Sequence, residues 1–397
     1  MREGWRWFGP NDPVNLDDIR QAGATEIVTS LHHIKPGELW STEEIQSRKS
    51  QIEDTPDGRS DLHWTVVESI HPHDAIKQGL PEREHYTEVW IETMRNLASA
   101  GIDTICYNFM PAIYWTRTDL NYLLPSGARS LRYDNGTFAA FDIFILERKD
   151  ARNSYDEPTL QRAENIFENL SEAEREQVAT ILTAGLPGSP GGSANLELFR
   201  KKLAEFNVFD KAAYRENLKW FLERVLPIAE ELGVKLGIHP DDPPRPLLGL
   251  PRIVSTPEDL DWIFNAVPSP SNGLTLCVGT FGVRADNNLP DMARQFGEKV
   301  FFAHLRSTSR DEDDPESFIE AGHIDGDIDM VAVIRALLDA EKDGRNIVFR
   351  PDHGHRMLDD LDADVTPGYS AIGRLRGLAE IRGVLKCFDW VSSQAPQ

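Results

Sequence analysis

Four side chains of types that commonly bind metals stand at the ends of apolar runs in the second half of the sequence. They close the runs Lys235-Leu-Gly-Ile-His239, Leu274-Thr-Leu-Cys277, Phe301-Phe-Ala-His304 and Ile347-Val-Phe-Arg-Pro-Asp352. Together these imidazole, thiolate and carboxylate donors suit a divalent transition metal. Thiolate and imidazole favour zinc or iron(II), and carboxylate also suits manganese. If the runs are neighbouring parallel strands, their ends meet, and the four residues predict one metal site with room for substrate or water.

Each of these residues has a structural alternative when it is taken alone. A histidine at a strand end can be a hydrogen-bonded structural residue, and a strand cysteine is often a small buried hydrophobe. An aspartate after proline often forms a turn. Four coordinating residues at four consecutive strand ends favour the metal site over these separate explanations. We interpret Cys106 and Cys387 as structural.

Other polar and aromatic side chains are predicted near the same strand ends. Arg306 lies two residues beyond His304, so it should point to the same side of the strand. There it could bind a substrate carboxylate or form a structural salt bridge. A second group could orient substrate, bind another metal or form a polar rim; it comprises His32, His33, Glu68, His71 and His73. The segment Trp5-Arg-Trp-Phe-Gly-Pro-Asn-Asp12 could line the pocket or pack the bottom of a barrel.

Eight short apolar, β-branched or aromatic runs are predicted as the strands that position these residues. They are Trp5–Phe8, Glu26–Leu31, Trp64–Glu68, Thr104–Phe109, Val234–His239, Leu274–Val278, Val300–His304 and Asn346–Arg350. Amphipathic helical patterns fill many of the gaps, as in Tyr86–Ser99 and Tyr214–Leu232. Strands that alternate with helices predict an α/β fold, and eight of them predict a closed (β/α)₈ TIM barrel. A doubly wound open sheet is the alternative.

One interval between predicted strands is too long for a simple crossover. It contains a possible hairpin around Tyr133-Asp-Asn-Gly136 and Phe138–Leu146, and a segment typical of a connector, Leu186–Ser193. We interpret residues 1–397 as a single TIM-barrel domain and residues 110–233 as a largely helical insertion between strands 4 and 5. Such an insertion would cap the carboxyl-terminal mouth of the barrel, where active sites form.

The charge and composition argue against several kinds of partner. With 42 Lys and Arg against 65 Asp and Glu, the net charge is −23. This charge repels phosphate backbones and anionic lipids, so we expect no nucleic-acid or membrane-surface binding. Three cysteines and no apolar signal segment predict a cytoplasmic protein. Apolar residues exposed on the insertion could support a homo-oligomer.

Several motifs, in order along the chain, resemble the metal-dependent mannonate dehydratase family, which has a xylose-isomerase-like TIM barrel. The motifs are Trp5-Arg-Trp-Phe-Gly-Pro-Asn-Asp12, Gly23-Ala-Thr-Glu-Ile-Val-Thr-Ser-Leu-His-His33, Val66-Val-Glu-Ser-Ile70, Gly237-Ile-His-Pro-Asp-Asp-Pro-Pro244, Leu276-Cys-Val-Gly-Thr280, His304-Leu-Arg306, Arg350-Pro-Asp-His-Gly-His355 and Pro367-Gly-Tyr-Ser-Ala-Ile-Gly-Arg374. The enolase-type enzymes of the same activity are unrelated. The resemblance implies a hydro-lyase of hexuronate catabolism that converts D-mannonate to 2-dehydro-3-deoxy-D-gluconate.

The resemblance also implies roles for individual residues. Manganese or iron(II) would be held by His239, Cys277, His304 and Asp352, and the acid/base groups would be His353 and Tyr369. The C2 proton of mannonate is weakly acidic, so a divalent cation would stabilise the charge that forms when the proton leaves. A second group would protonate the departing C3 hydroxyl. Which of the two residues takes the C2 proton does not follow from the sequence.

Three other functions share parts of this pattern. A sugar isomerase or epimerase of the xylose-isomerase-like group would use the same barrel and a similar metal, but its neutral substrate should need no carboxylate partner. A barrel endonuclease is disfavoured by the charge of −23 and the lack of a basic groove. A structural-metal or sugar-binding protein would be indicated by a closed four-ligand site with no exchangeable water.

Overall fold

The computed structural model describes residues 1–56, 58–183, 196–341 and 344–394. The predicted connector 186–193 lies outside the described residues, as does part of the interval 110–233. In chain order, the strands are β1 (Arg2–Arg6), β2 (Glu26–Thr29), β3 (His63–Glu68), β4 (Thr104–Tyr107), β5 (Asp119–Leu123), β6 (Arg129–Tyr133), β7 (Lys235–Ile238), β8 (Asn272–Cys277), β9 (Val300–His304), β10 (Thr308–Arg310), β11 (Phe318–Glu320) and β12 (Val348–Arg350).

The helices lie mostly between these strands. They are α1 (Leu16–Ala22), α2 (Thr42–Glu53), α3 (Asp74–Lys77), α4 (Arg83–Ser99), α5 (Asn135–Ala140), α6 (Glu157–Asn169), α7 (Glu172–Thr183), α8 (Leu196–Phe206), α9 (Lys211–Leu232), α10 (Pro257–Ala266), α11 (Val278–Gly282), α12 (Leu289–Phe296), α13 (Met330–Ala340) and α14 (Ala371–Gln394). Within the four described ranges, none of them has both the length and the apolar character that a membrane span requires.

Eight parallel strands close into a barrel, which confirms the (β/α)₈ prediction and excludes an open doubly wound sheet. Around the barrel the strand order is β1-β12-β9-β8-β7-β4-β3-β2. The closure is made by β1, which pairs with both β2 and β12. The strands β7, β8, β9 and β12 are consecutive neighbours, so their carboxyl ends form one side of the mouth. The ends of β1 to β4 form the opposite side.

The barrel strands are buried on both faces because helices cover the outside and side chains fill the inside. One interior cluster consists of Val28, Val66, Cys106, Phe302 and Val348. Burial raises the pKa of Cys106 to about 12, so this thiol stays protonated at neutral pH. Its position among apolar side chains agrees with a structural role. Continuous apolar strands of this kind are typical of parallel sheets.

The first strand begins earlier than the sequence pattern predicts. It spans Arg2–Arg6 instead of Trp5–Phe8. The charged side chains at its start are neutralised by partners: Arg2 lies 3.1 Å from Glu26, and Glu3 pairs with Arg382. A search for apolar runs misses a strand that begins with charged residues, when these charges are neutralised by partners far away in the sequence.

The predicted hairpin between the fourth and fifth barrel strands is wrong in its position. The carboxylate of Asp134 accepts a hydrogen bond from the backbone N–H of Thr137 at 2.7 Å. The Asp-Asn-Gly sequence therefore caps helix α5 rather than forming a turn. The actual hairpin is β5–β6, and it belongs to an antiparallel sheet of order β10-β11-β6-β5. This sheet joins the segment after β4 to the loop after β9.

A close contact on α14 predicts a measurable loss of stability. A Cβ atom added at Gly377 would lie 2.1 Å from the His323 ring, and His323 hydrogen-bonds the Pro351 carbonyl at 2.7 Å. We expect Gly377→Ala to lower the free energy of unfolding by about 1–3 kcal/mol, measured by denaturant unfolding. Gly383→Ala, on the same helix with no atom within 4 Å of its added Cβ, should be neutral or stabilise by up to about 1 kcal/mol. Equal losses in both variants would contradict this explanation.

Candidate metal centre and active site

Nitrogen, sulfur and oxygen donors converge at the ends of β7, β8, β9 and β12. One ligand atom from each of His239, Cys277 and His304 lies within 4.8 Å of the others. Cys277 and His304 are direct partners in the β8–β9 register. The Oδ2 atom of Asp352 lies 3.6 Å from Cys277 Sγ and 4.0 Å from His304 Nδ1. The structure thus brings the four residues of the predicted ligand set together.

The state of these side chains fits a bound cation. His239 Nδ1 is 2.7 Å from the Pro240 carbonyl oxygen, so its N–H donates there and Nε2 carries the lone pair. Burial lowers the pKa of His239, which favours the neutral ring that metals bind. Within the described ranges, His304 Nε2 is buried without a hydrogen bond of good geometry, with Glu68 Oε1 3.5 Å away. Such an atom is costly unless a ligand satisfies it, and the donor types suit a divalent transition metal.

Asp352 is held as a carboxylate in an unusual backbone conformation. Its φ angle is 63°, in the left-handed region that aspartate tolerates better than most residues. Burial by itself would raise its pKa, but Arg350, His353 and Arg306 hold that pKa well below its usual range. Arg350 Nη1 lies 2.5 Å from Asp352 Oδ1. The carboxylate is therefore both ionised and fixed in direction.

The two predicted acid/base residues lie side by side after β12. The ring centroids of His353 and Tyr369 are 4.9 Å apart, in an edge-on arrangement. His353 Nδ1 lies 2.7 Å from Glu320 Oε2 and 2.8 Å from Arg306 Nη1. Its Nε2 lies 3.8 Å from Asp352 Oδ1. The free nitrogen of His353 is thus on the side of the donor cluster.

Packing fixes Tyr369 beside this cluster. Its ring meets Phe8 edge-on with centroids 4.8 Å apart, and its backbone forms a parallel bridge with Gly354. Burial raises the pKa of Tyr369 to about 12, although Arg350 opposes the shift. The phenol therefore keeps its proton at neutral pH.

Arg306, the predicted substrate-binding cation, is buried and paired with protein carboxylates. It lies 2.8 Å from Glu320, 3.3 Å from Asp242 and 3.3 Å from Asp352. These are the salt bridges that the sequence allowed as its alternative role. The side chain also lines the cavity that His239, Cys277 and Asp352 line.

Sequence reasoning assigned no role to four further charged residues of this network, which are Arg117, Asp242, Glu320 and Arg350. Arg117 donates to both oxygens of Asp242, at 2.7 and 3.1 Å, and to Glu320 at 2.8 Å. Arg350 donates twice to Glu68, at 3.0 and 2.8 Å. The residues Asp242 and Arg350 stand within the quoted motifs and could have been found there. No local signal marks Arg117 or Glu320.

The early strands contribute part of the rim. From the N-terminal segment, Arg6 and Phe8 line the cavity of the donor cluster, whereas Trp5 and Trp7 are buried in the core. The segment therefore lines the cavity through Arg6 and Phe8 and packs in the core through its two tryptophans.

Some of the rim residues predicted after β2 and β3 line the cavity, and the others have different partners. The side chains of Glu68 and His71 line the cavity. His33 instead forms an exposed pair with Glu44 at 2.9 Å. His73 accepts a hydrogen bond from Ala75 N at 3.1 Å and caps α3. His32 reaches Arg6, with Nε2 3.3 Å from Nη2. The cavity itself measures about 440 Å³, which suits a small molecule.

Known proteins share this chain's sequence along nearly its whole length. The family model described as D-mannonate dehydratase (UxuA) matches residues 1–395. A mannonate dehydratase of Marinomonas sp. (strain MWYL1) is 51% identical over 390 residues, which cover 97% of this chain and 98% of that protein. A sequence identity this high over nearly the full length of both chains indicates a closer relationship than a shared fold.

Solved structures agree with the sequence comparison. The crystal structure of mannonate dehydratase from Streptococcus suis serotype 2 superimposes with a TM-score of 0.77 at 30% identity, covering 100% of this chain and 96% of that one. A xylose isomerase domain protein from Planctomyces limnophilus shares the fold alone, with a TM-score of 0.50 and 10% identity over 97% of this chain and 95% of that one. The chain therefore belongs to the D-mannonate dehydratase family.

Proposed function

We propose that this site eliminates water from D-mannonate to give 2-dehydro-3-deoxy-D-gluconate. In this proposal Mn²⁺ or Fe²⁺ is held by His239, Cys277, His304 and Asp352. The observation that carries the proposal is the convergence of His239, Cys277 and His304 within 4.8 Å, beside a cavity that His239, Cys277, Asp352, His353 and Tyr369 line. Membership of the D-mannonate dehydratase family supports the substrate.

The charges around the cavity favour an anionic substrate over a neutral sugar. The guanidinium groups of Arg6, Arg117, Arg306 and Arg350 are paired with the carboxylates of Glu68, Asp242, Glu320 and Asp352. These charges balance. A Cys277 thiolate together with a divalent cation would add one positive charge, which the carboxylate of a sugar acid neutralises. A neutral aldose would leave it uncompensated in a buried site, which argues against the isomerase alternative.

The elimination needs one group that takes the C2 proton and another that protonates the C3 hydroxyl. When bound, the metal ion would stabilise the negative charge that forms on the substrate as C2 loses its proton. The chain itself supplies the two proton-transfer groups. In the proposed mechanism the Nδ1–H of His353 donates to Glu320 Oε2, 2.7 Å away, so the lone pair of Nε2 is free to accept the C2 proton. Tyr369 keeps its phenolic proton, since burial raises its pKa to about 12, and serves as the acid.

An activity assay on metal-stripped protein tests the proposed reaction. D-mannonate and D-mannose are supplied separately, before and after Mn²⁺ or Fe²⁺ is restored. We expect the 2-keto-3-deoxy acid from D-mannonate only with metal, and no product from D-mannose. A folded, metal-loaded protein that gives no acid product would contradict the proposal, and a ketose formed from D-mannose would support the isomerase.

The cysteines support the cytoplasm as the proposed compartment. The three cysteines of the chain are unpaired, and Cys387 is exposed on α14. An exposed free thiol persists best in a reducing environment.

A further inference from the structure

We propose that the side of the mouth formed by β1 to β4 binds the distal end of the sugar acid, with His71 hydrogen-bonded to the C6 hydroxyl. The inference rests on the proposed function, because it takes the C1 carboxylate and the C2 and C3 carbons to lie at the donor cluster. It goes further by assigning His71 a part in selecting a six-carbon chain.

The order of strands in the barrel indicates the direction in which the carbon chain of the substrate extends from the donor cluster. The donors His239, Cys277, His304 and Asp352 follow β7, β8, β9 and β12, which are neighbours on one side of the mouth. His353 and Tyr369 lie beside them. A chain whose reacting carbons are held there can extend toward the opposite side, where His71 follows β3 and lines the same cavity.

His71 has a polar atom that the protein leaves unused. Its Nδ1 is buried and has no hydrogen-bond partner among the described residues. Burial, with Lys77 and Arg6 nearby, lowers the pKa of His71 to about 3. The ring is therefore neutral at pH 7, with one nitrogen that donates and one that accepts, which is what a hydroxyl group requires.

The His71 ring is held rigidly by its neighbours. It stacks on Tyr114 with ring centroids 4.6 Å apart and an interplanar angle of 17°. The Tyr114 hydroxyl is fixed in turn by Lys77, whose Nζ lies 2.5 Å away and which also contacts Asp74 at 3.2 Å. Lys77 is completely buried, and burying a lysine is costly unless it is paired. Such a support positions His71 before substrate arrives and reduces the entropy that binding would cost.

His71 also lines a second cavity. This second cavity of about 390 Å³ shares Ser69, His71 and Tyr114 with the cavity of the donor cluster. His71 therefore belongs to the lining of both cavities, so its ring borders the space that the proposed substrate would occupy.

The test compares two acids that differ only at the distal end. D-lyxonate has the configuration of D-mannonate at C2, C3 and C4 but lacks C6. His71→Phe keeps a ring that can stack on Tyr114 and removes both nitrogens. With metal-loaded enzyme, we expect kcat/KM for D-mannonate to fall about tenfold or more, mainly through KM. For D-lyxonate we expect a change of less than about twofold. Where wild-type turnover of D-lyxonate is too slow, its inhibition constant against D-mannonate replaces KM.

Matched variants separate recognition from structure. His33→Phe makes the same change outside both cavities and should leave the kinetics of both acids unchanged. His71→Gln keeps a donor and an acceptor and should restore part of the preference for D-mannonate. If His71→Phe does not fold, as judged by circular dichroism, His71→Leu is compared with His71→Gln instead.

Two results would overturn the inference: an equal loss for both acids, or no loss for either. The proposed function fails in a different way, because the wild-type enzyme with metal restored would then give no product from D-mannonate. In that case binding of the two acids to wild type and His71→Phe, measured by calorimetry, still decides the role of His71. A preference for D-mannonate that His71→Phe removes would support it, and an unchanged preference would contradict it.

Discussion

Replacing Cys277 with serine should remove metal from the centre and with it the dehydration of D-mannonate, while the barrel stays folded. The sulfur is one of three donor atoms that lie within 4.8 Å of one another, and a serine hydroxyl is a much weaker ligand for a transition metal. Loss of an outer partner of a metal ligand already costs roughly 10–100-fold in affinity, so loss of a direct ligand should exceed that. Serine can still hydrogen-bond Thr280, whose Oγ1 lies 3.0 Å from Cys277 Sγ.

The measurement combines metal content, activity and folding. Metal per chain is determined by elemental analysis after dialysis, activity by formation of the keto acid, and folding by circular dichroism. Cys387→Ser is the matched control, because this cysteine is exposed on α14. It should keep metal and full activity. Normal metal content and turnover in Cys277→Ser would rule out the ligand assignment.

Replacing His353 with asparagine should stop turnover without removing metal or substrate. In the proposed mechanism its Nδ1–H donates to Glu320 Oε2 at 2.7 Å, and its Nε2 faces the donor cluster, where a proton-transfer group is needed. Loss of such a group typically costs 10²–10⁴-fold in rate, so we expect kcat to fall by about that factor. KM and metal content should change little, because the proposed metal ligands are left intact.

The decisive readout is the division between kcat and KM. His355→Asn makes the same change two residues along the chain, where the ring bonds the Glu320 carbonyl at 2.8 Å, and it should cost far less in kcat. Exchange of the C2 proton with deuterated solvent, followed by NMR, reports on the base directly. Near-normal kcat or unchanged proton exchange in His353→Asn would exclude the residue from the proton transfer.

The fold could be predicted because its signals are local. Buried parallel strands are continuous apolar runs, and eight of them separated by helical patterns leave few other topologies. The pattern of apolar runs missed the start of β1, where the charge of Arg2 is neutralised by Glu26, a residue remote in sequence. It was also wrong at Asp134-Asn-Gly136, because this sequence is compatible with both a turn and a helix cap. Here it caps α5.

The sequence by itself determined which donors stand at the strand ends, because both the residue type and the apolar pattern of a strand can be read from a few neighbouring residues. The tertiary structure decided how those donors and the acid/base pair are held. Glu320 contacts His353 from 33 residues away, and Arg117 contacts Asp242 across 125 residues. Both contacts depend on the sheet of order β10-β11-β6-β5, in which Glu320 lies on β11 and Arg117 lies just before β5. Ion pairs between remote segments leave no periodic pattern in a sequence, since only packing brings their charges together.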